Sequence, residues 1–258
     1  MAIAGIALSA AATQASADVS YNSASQVNGN AKNGAGTWTN GAATGYTGNL
    51  PVDWKANFQT NTDSFSLSTA AAQGAGAAGY NLSVSGYRWN PNSSWGNALD
   101  YGLITLQSAS NLTVTVQGDT GSTALLPGFT LWQGWDTAAG SSKHGTYQTN
   151  PFTPGTRGAT GISYLGFAST GGTTTGGVSY ASDGGVNYSS ANGVVQITFE
   201  NLLAGNYSLW IGGNGTATTS FSYTATLTAS PVPIPGAVWL FGSSVAGLIG
   251  VARRRAKA

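Results

Sequence analysis

Apolar residues recur at every second position along most of this chain, and that alternation constrains its fold more than any other feature. Val52, Trp54, Ala56 and Phe58 alternate with Asp53, Lys55, Asn57 and Gln59. Successive side chains of a strand point to opposite faces, so this pattern predicts a half-buried strand with a polar outer side. It returns in Phe65-Leu67, Tyr80-Leu82-Val84, Leu112-Val114-Val116, Phe129-Leu131, Ile162-Tyr164, Val195-Ile197-Phe199, Tyr207-Leu209-Ile211 and Phe221-Tyr223-Ala225-Leu227, with Gly and Asn turns between. No helical period interrupts the series. The fold expected is all-β, a β-sandwich or jelly roll, over residues 18–230, long enough for a core without covalent staples. Three stretches read as loops: Ala70 to Gly79, a sub-boundary rich in Ala and Gly; Thr137 to Gly161; and the Gly/Thr-rich run Ser169 to Gly177.

Charge is scarce and unevenly placed. Charged residues make up 7% of the chain, against about 25% in ordinary soluble domains. Of the nine basic residues, Arg253, Arg254, Arg255 and Lys257 sit in the last few positions. Ahead of them Lys32, Lys55, Arg88, Lys143 and Arg157 face eight acids, so the body is mildly acidic. No basic stripe exists to neutralise phosphates, which excludes nucleic acid as a partner. The absence of Cys removes disulfides, thiolate nucleophiles and zinc–thiolate sites, and a single His removes multi-histidine metal sites.

Both ends read as targeting segments. Ile3 to Ala12 is a short apolar run followed by Ala15-Ser16-Ala17. Small residues at Ala15 and Ala17 after such a run predict a signal peptide over residues 1–17, cut between Ala17 and Asp18. No Lys or Arg precedes the run, as would follow from a true start further upstream. At the other end Pro231-Val232-Pro233-Ile234-Pro235 leads into an apolar run over 236–252 and then the arginines. Seventeen helical residues reach ~26 Å at ~1.5 Å each, close to what a hydrocarbon core of ~30 Å requires. Arg253, Arg254 and Arg255 act as the membrane stop and hold the distal end in the cytoplasm.

This tail, residues 231–258, resembles a PEP-CTERM sorting signal: a proline motif with Val232, Pro233 and Pro235, a helix opening Ala237-Val238-Trp239-Leu240-Phe241-Gly242-Ser243, and a basic end over 253–257. Ile234 stands where the family carries Glu, giving a Val-Pro-Ile-Pro variant. The resemblance implies an exosortase as partner and export through the inner membrane of a Gram-negative bacterium. A transient membrane anchor would then be removed, delivering the protein to the cell surface or the extracellular matrix. A second, shorter likeness lies in Ile197 to Gly213, which resembles the closing hairpin of pre-peptidase C-terminal β-sandwich modules, with Ala204-Gly205-Asn206 as its turn.

No catalytic set emerges. His144 lies near Asp136, Ser141 and Ser142, but one loop cannot give these the geometry of a nucleophilic triad, and no Gly-x-Ser-x-Gly is present. Glu200 is the only Glu, and it ends a strand on its polar side, so paired carboxylates for glycoside hydrolysis are not indicated. No cofactor is expected. Asp119, Asp136 and Asp183, in Gly-rich turns, are weak calcium candidates without the Asp-x-Asp-x-Asp-Gly loop. Of the Trp residues, Trp54 and Trp210 suit a core. Trp89 with Trp95, and Trp132 with Trp135, flank polar turns in pairs. Such pairs either pack inward or offer flat rings on which a sugar can stack. The sequence thus predicts an exported, non-enzymatic surface or exopolysaccharide (biofilm-matrix) protein; the alternative is a lectin-like module that binds exopolysaccharide through Trp89, Trp95, Trp132 and Trp135.

Overall fold

A computed structural model describes residues 16–22, 38, 46, 48, 52–68, 84–85, 99–118, 126–135, 161–175, 178–191, 193–213 and 220–233. Within them the chain forms fourteen strands and no helix. In chain order these are β1 (Asp18–Tyr21), β2 (Val52–Phe58), β3 (Ser64–Ser68), β4 (Val84–Ser85), β5 (Asp100–Leu106), β6 (Ser110–Gly118) and β7 (Pro127–Gln133). They continue with β8 (Ser163–Thr175), β9 (Val178–Asp183), β10 (Val186–Ala191), β11 (Val194–Leu202), β12 (Gly205–Gly213), β13 (Ser220–Phe221) and β14 (Tyr223–Pro231). A seven-stranded sheet runs β1-β2-β5-β12-β7-β8-β9, a five-stranded sheet runs β10-β11-β6-β14-β3, and β13 pairs with β4 alone. Pairing within the sheets is antiparallel except between β2 and β5, which run parallel.

The alternation seen in the sequence builds the five-stranded sheet directly. Leu112, Val114, Val116, Val195, Ile197, Phe199, Phe65, Leu67, Tyr223, Ala225 and Leu227 are buried against the other sheet. Their outward neighbours are mostly hydroxyl side chains that bond across strands: Thr113 with Thr198 at 2.9 Å, Thr115 donating to Gln196 at 3.0 Å, Ser66 with Thr226 at 3.2 Å.

The seven-stranded sheet buries apolar residues on both sides. Its inner face gives Trp54, Ala56, Phe58, Ile104, Leu106, Phe129, Leu131, Tyr207, Leu209 and Ile211 to the shared core. Its outer face carries a second buried cluster of Tyr101, Leu103, Trp132, Phe167 and Trp210, joined by Trp38, Tyr46, Val52, Leu99 and Ile162. The molecule is therefore a sandwich with part of a third layer. Trp54 seats its indole against Gly102, where no side chain could fit: a Cβ there would lie 2.0 Å from the ring.

Local devices hold the connections. A bulge between Val52 and Trp54 interrupts the β2–β5 ladder, and the Asp53 carboxylate takes up the amide of Tyr101 at 2.6 Å. An amide left without a ladder partner must be bonded elsewhere, and here a side chain does it. Asp63 closes the turn between β2 and β3 by accepting from the Gln59 and Thr60 amides and the Thr60 hydroxyl.

Three expectations need correction. Ser169 to Gly177 was expected as a loop, yet β8 continues through it to Thr175 and pairs with β9. Ile197 to Gly213 is not a hairpin. β11 belongs to the five-stranded sheet and β12 to the seven-stranded one, so residues 203–204 form an arch between sheets. The Tyr207 hydroxyl, donating to Leu203 O at 2.6 Å, ties that arch. Both strands still present their apolar residues to one core, because an arch turns two half-buried strands face to face. Finally, the last strand reaches Pro231, one residue beyond the expected body, with Pro231 in register with Ser110. A strand end tolerates a residue without an N–H.

Ser16 and Ala17, on the leader side of the expected Ala17/Asp18 junction, are part of this fold. Ser16 bridges Ser64, Ala17 is buried, and the Ala17 amide donates to Ser64 O at 3.0 Å. Residues 1–15, the sub-boundary at 70–79, and the tail from Ile234 onward, with the apolar run and Arg253 to Arg255, lie outside the described residues. Among the described residues no helix is long and apolar enough to cross a membrane.

Candidate functional site

The four Trp residues singled out for sugar stacking do not form one group. Trp89 and Trp95 lie outside the described residues. Trp132 is buried at 0% exposure, its ring centroid 4.9 Å from Trp210 and 5.7 Å from Tyr164. The expectation that it offers a ring to a ligand fails here, because the third layer covers the face it points to. Trp135, two residues past the end of β7, is only partly buried on the rim of that layer. Its indole N–H donates to Tyr207 O at 3.0 Å, which lays the ring back over the sheet. Lys55 rises to meet it, with Nζ 5.4 Å from the ring centroid. Burial of the ammonium lowers the Lys55 pKa from its ordinary value.

Beside this pair the register assembles a polar row. Asp18 on β1 faces Asn57 on β2, Asn57 faces Thr105 on β5, and Thr105 faces Asn206 on β12. With neighbouring strands ~4.8 Å apart, the row runs ~14 Å across the sheet. Gln59 donates to Asp18 at 2.5 Å, Gln107 to Asn57 Oδ1 at 3.1 Å, and Thr105 to Asn206 Oδ1 at 3.2 Å. Both amide oxygens are occupied, and Asn57 is half-buried and Asn206 exposed, which leaves their NH2 groups to serve as donors. The patch thus combines an aromatic edge, an ammonium, two amide donors, a hydroxyl and a carboxylate on rigid strands. Sequence reading found Trp135 alone, since the rest depends on the parallel β2–β5 pairing, which no local pattern announces.

A second cluster is sealed inside. Asp53 and Asp100 are both at 0% exposure, with the buried Tyr223 facing them from the other sheet. Burial, and then the neighbouring Asp53 charge, push the Asp100 carboxyl well above its usual range, opposed by the Tyr223 hydroxyl. Burial and the same carboxylates push the Tyr223 phenol up in turn. The fold therefore favours the protonated form of Asp100. The two acids belong to the seven-stranded sheet, and Tyr223 of the five-stranded sheet is buried with them.

Of the calcium candidates, Asp119 and Asp136 lie outside the described residues, as does His144. Asp183 accepts the Tyr164 hydroxyl at 2.8 Å. Among the described residues no three acidic, imidazole or thiol groups converge as a metal site.

The sequence matches no protein-family profile and no curated protein. Solved structures give distant likenesses. The surface-associated copper-binding protein CorA of Methylomicrobium album BG8 aligns at 16% identity over 68% of this chain and 97% of its own, with a TM-score of 0.37. The pre-peptidase C-terminal domain of a Bacillus anthracis collagenase aligns at 11% identity over 67% and 92%, TM-score 0.29. The secreted copper-binding protein MopE of Methylococcus capsulatus aligns at 12% identity over 73% and 90%, TM-score 0.34. Likenesses of this size carry no argument about what the chain binds.

Proposed function

We propose that this chain is an exported, non-catalytic surface or exopolysaccharide-matrix protein, sorted by an exosortase through residues 231–258. The observation that carries the reading is the order of segments in the C-terminal sequence: prolines, an apolar run of membrane-spanning length, then Arg253, Arg254 and Arg255. The scarcity of charge and the all-β body with a hydroxyl-covered outer face agree with it. So does the burial of Asp53 and Asp100, the most closely associated acids of the described residues, in the core. The domain division (leader 1–17, body 18–230, sorting signal 231–258) belongs to the same proposal.

Intact mass of the protein recovered outside the cell tests it. The expected species lacks both the leader and the arginines. A species outside the cell still carrying Arg253 to Arg255 refutes exosortase processing. The same mass places the N-terminus: a chain starting at Asp18 gives up the Ala17–Ser64 bond.

A second reading, a lectin-like module acting on exopolysaccharide, is favoured by one observation, the patch of Trp135, Lys55 and the Asp18–Asn206 row. Its ring edge and amide donors supply the two contacts a sugar takes, apolar C–H faces and paired hydroxyls. Titration of the protein with polysaccharides tests this reading independently of sorting.

A further inference from the structure

Lys55 is the only cationic side chain among the described residues, and no carboxylate of theirs lies within ion-pairing distance of it. Among the described residues its ammonium is held by the indole of Trp135, 5.4 Å from the centroid. A cation withdrawn from water is normally balanced by an acid. Here, among the described residues, the balance is left to the ring, and Asn57 lies two residues further along β2 from Lys55, at the start of the polar row. An ammonium on a ring, with no carboxylate of the described residues at ion-pairing distance, describes a site for an anion.

The position of the ammonium also decides between kinds of sugar. A neutral ring stacking on Trp135 would have to displace Lys55 from the face it occupies, losing a cation–π contact and gaining no charge pair. A sugar bearing a carboxylate leaves Lys55 in place and pairs with it. Asp18, on the strand beside Lys55 and two residues out of register with it, already holds the Gln59 amide; it repels a carboxylate on its own side but accepts sugar hydroxyls. The ligand is therefore oriented with its charge toward Trp135.

Resting on the lectin-like reading, we propose that the Lys55–Trp135 patch binds a carboxylate-bearing polysaccharide, a uronate polymer, with a carboxylate on Lys55 and its hydroxyls on the row of Asp18, Asn57, Thr105 and Asn206. The lowered pKa of Lys55 agrees with its partial desolvation. The body's mild negative charge opposes such a ligand only at long range, and at physiological salt that repulsion is screened beyond ~8 Å.

The test is calorimetric titration of the full-length chain in mild detergent, at physiological salt, with polygalacturonate and with neutral dextran. Wild type is expected to bind polygalacturonate and to ignore dextran. Lys55→Met keeps the apolar stem and removes the charge, and should weaken binding at least about tenfold, a loss of ~1.4 kcal/mol. Lys55→Arg should retain most of it, and raising salt should weaken wild type far more than Lys55→Met. Urea midpoints confirm that each variant is folded. Equal binding of both polymers, indifferent to Lys55→Met, overturns the anionic site and leaves the lectin-like reading standing. Binding of neither polymer by folded wild type overturns both, and leaves the sorting proposal to the mass measurement.

Discussion

Adding one methyl at Gly102 tests the packing on which the seven-stranded sheet depends. The new Cβ of Gly102→Ala would lie 2.0, 2.2 and 2.3 Å from Cζ2, Cη2 and Cε2 of Trp54. Ordinary carbon contacts lie at ~3.5–4.0 Å, so something must move by about 1.5 Å. The indole is fully buried and already packed on Phe65, with centroids 5.6 Å apart, so it cannot retreat into free space. The alternative is to part β2 from β5, which pulls Asp53 away from the Tyr101 amide. Overpacking of a tight core costs about 1–3 kcal/mol and occasionally more; three simultaneous collisions with a rigid ring place this one near ~3 kcal/mol. At an open strand position the same change would instead gain ~0.5–1 kcal/mol, because glycine loses more backbone entropy on folding. The sign alone therefore discriminates. Equilibrium urea unfolding, followed by near-ultraviolet circular dichroism, should show a midpoint lower by about 1 M for m near 3 kcal/mol/M. Trp54→Leu in the Gly102→Ala background frees the space, so a double-mutant cycle should give a coupling of at least ~1 kcal/mol in the rescuing direction. An unchanged or raised midpoint in Gly102→Ala refutes the assigned packing.

The other expectations are simpler. Trp132→Ala should cost ~3–5 kcal/mol as a buried ring is lost, while Trp132→Phe should cost clearly less, since the indole N–H it removes has no acceptor; equal urea midpoints for Trp132→Ala and wild type would put that ring outside the core. Asp100 has its folded-state pKa raised by burial and by Asp53, so its stabilising share is complete below ~3.9, the unfolded carboxyl value, and is lost as pH rises toward the folded value. Asp100→Asn should thus gain on wild type between pH 4 and pH 7, and a stability difference independent of pH across that window would contradict the assignment. Asp63 behaves oppositely: burial would raise it, but the Thr60 hydroxyl and the Thr60 and Gln59 amides outweigh this and hold its carboxyl below the usual range. Asp63→Ala should therefore destabilise at pH 7 and matter less as pH falls through that lowered value, as urea midpoints at pH 7 and pH 3 can check.

Sequence alternation located β2, β3, β6, β7, β11, β12 and β14, because each has one face in the shared core and a polar or differently packed face opposite. It missed β5, where Leu103 and Ile104 are both buried on opposite sides and the period vanishes. It missed the end of β8 because Gly and Thr resemble a loop when read alone. Trp132 misled for a related reason. Phe129 and Leu131 point inward, so Trp132 points outward, and outward means solvent unless another layer exists. That layer draws on Trp38, Tyr46, Leu99 and Ile162, scattered far apart in the chain. The Lys55–Trp135 contact spans eighty positions and needs three strand pairings, β2–β5, β5–β12 and β12–β7, to be known first. Asp53 and Asp100 likewise meet only because β2 and β5 run parallel past a bulge.

The rim of that third layer also explains why charge chemistry is found at Lys55 and not on the opposite face. The outer side of the five-stranded sheet is flat polar surface whose hydroxyls largely bond one another, and an ammonium placed there would stay hydrated. Two unit charges 4 Å apart interact by only ~1 kcal/mol in bulk water, against ~4 kcal/mol at the effective dielectric of a partly buried site. Lys55 stands where Leu103 and Trp135 have removed part of its water, while Asn57 and Thr105 beside it remain accessible. A carboxylate arriving there meets a cation already partly desolvated and a row of donors fixed by strand pairing. Fewer groups then have to be ordered or stripped of water on binding. The buried aromatic layer thus acts on the site without touching ligand. Loosening it, as Trp132→Ala would, should weaken uronate binding through Trp135 and Lys55 even in molecules that remain folded.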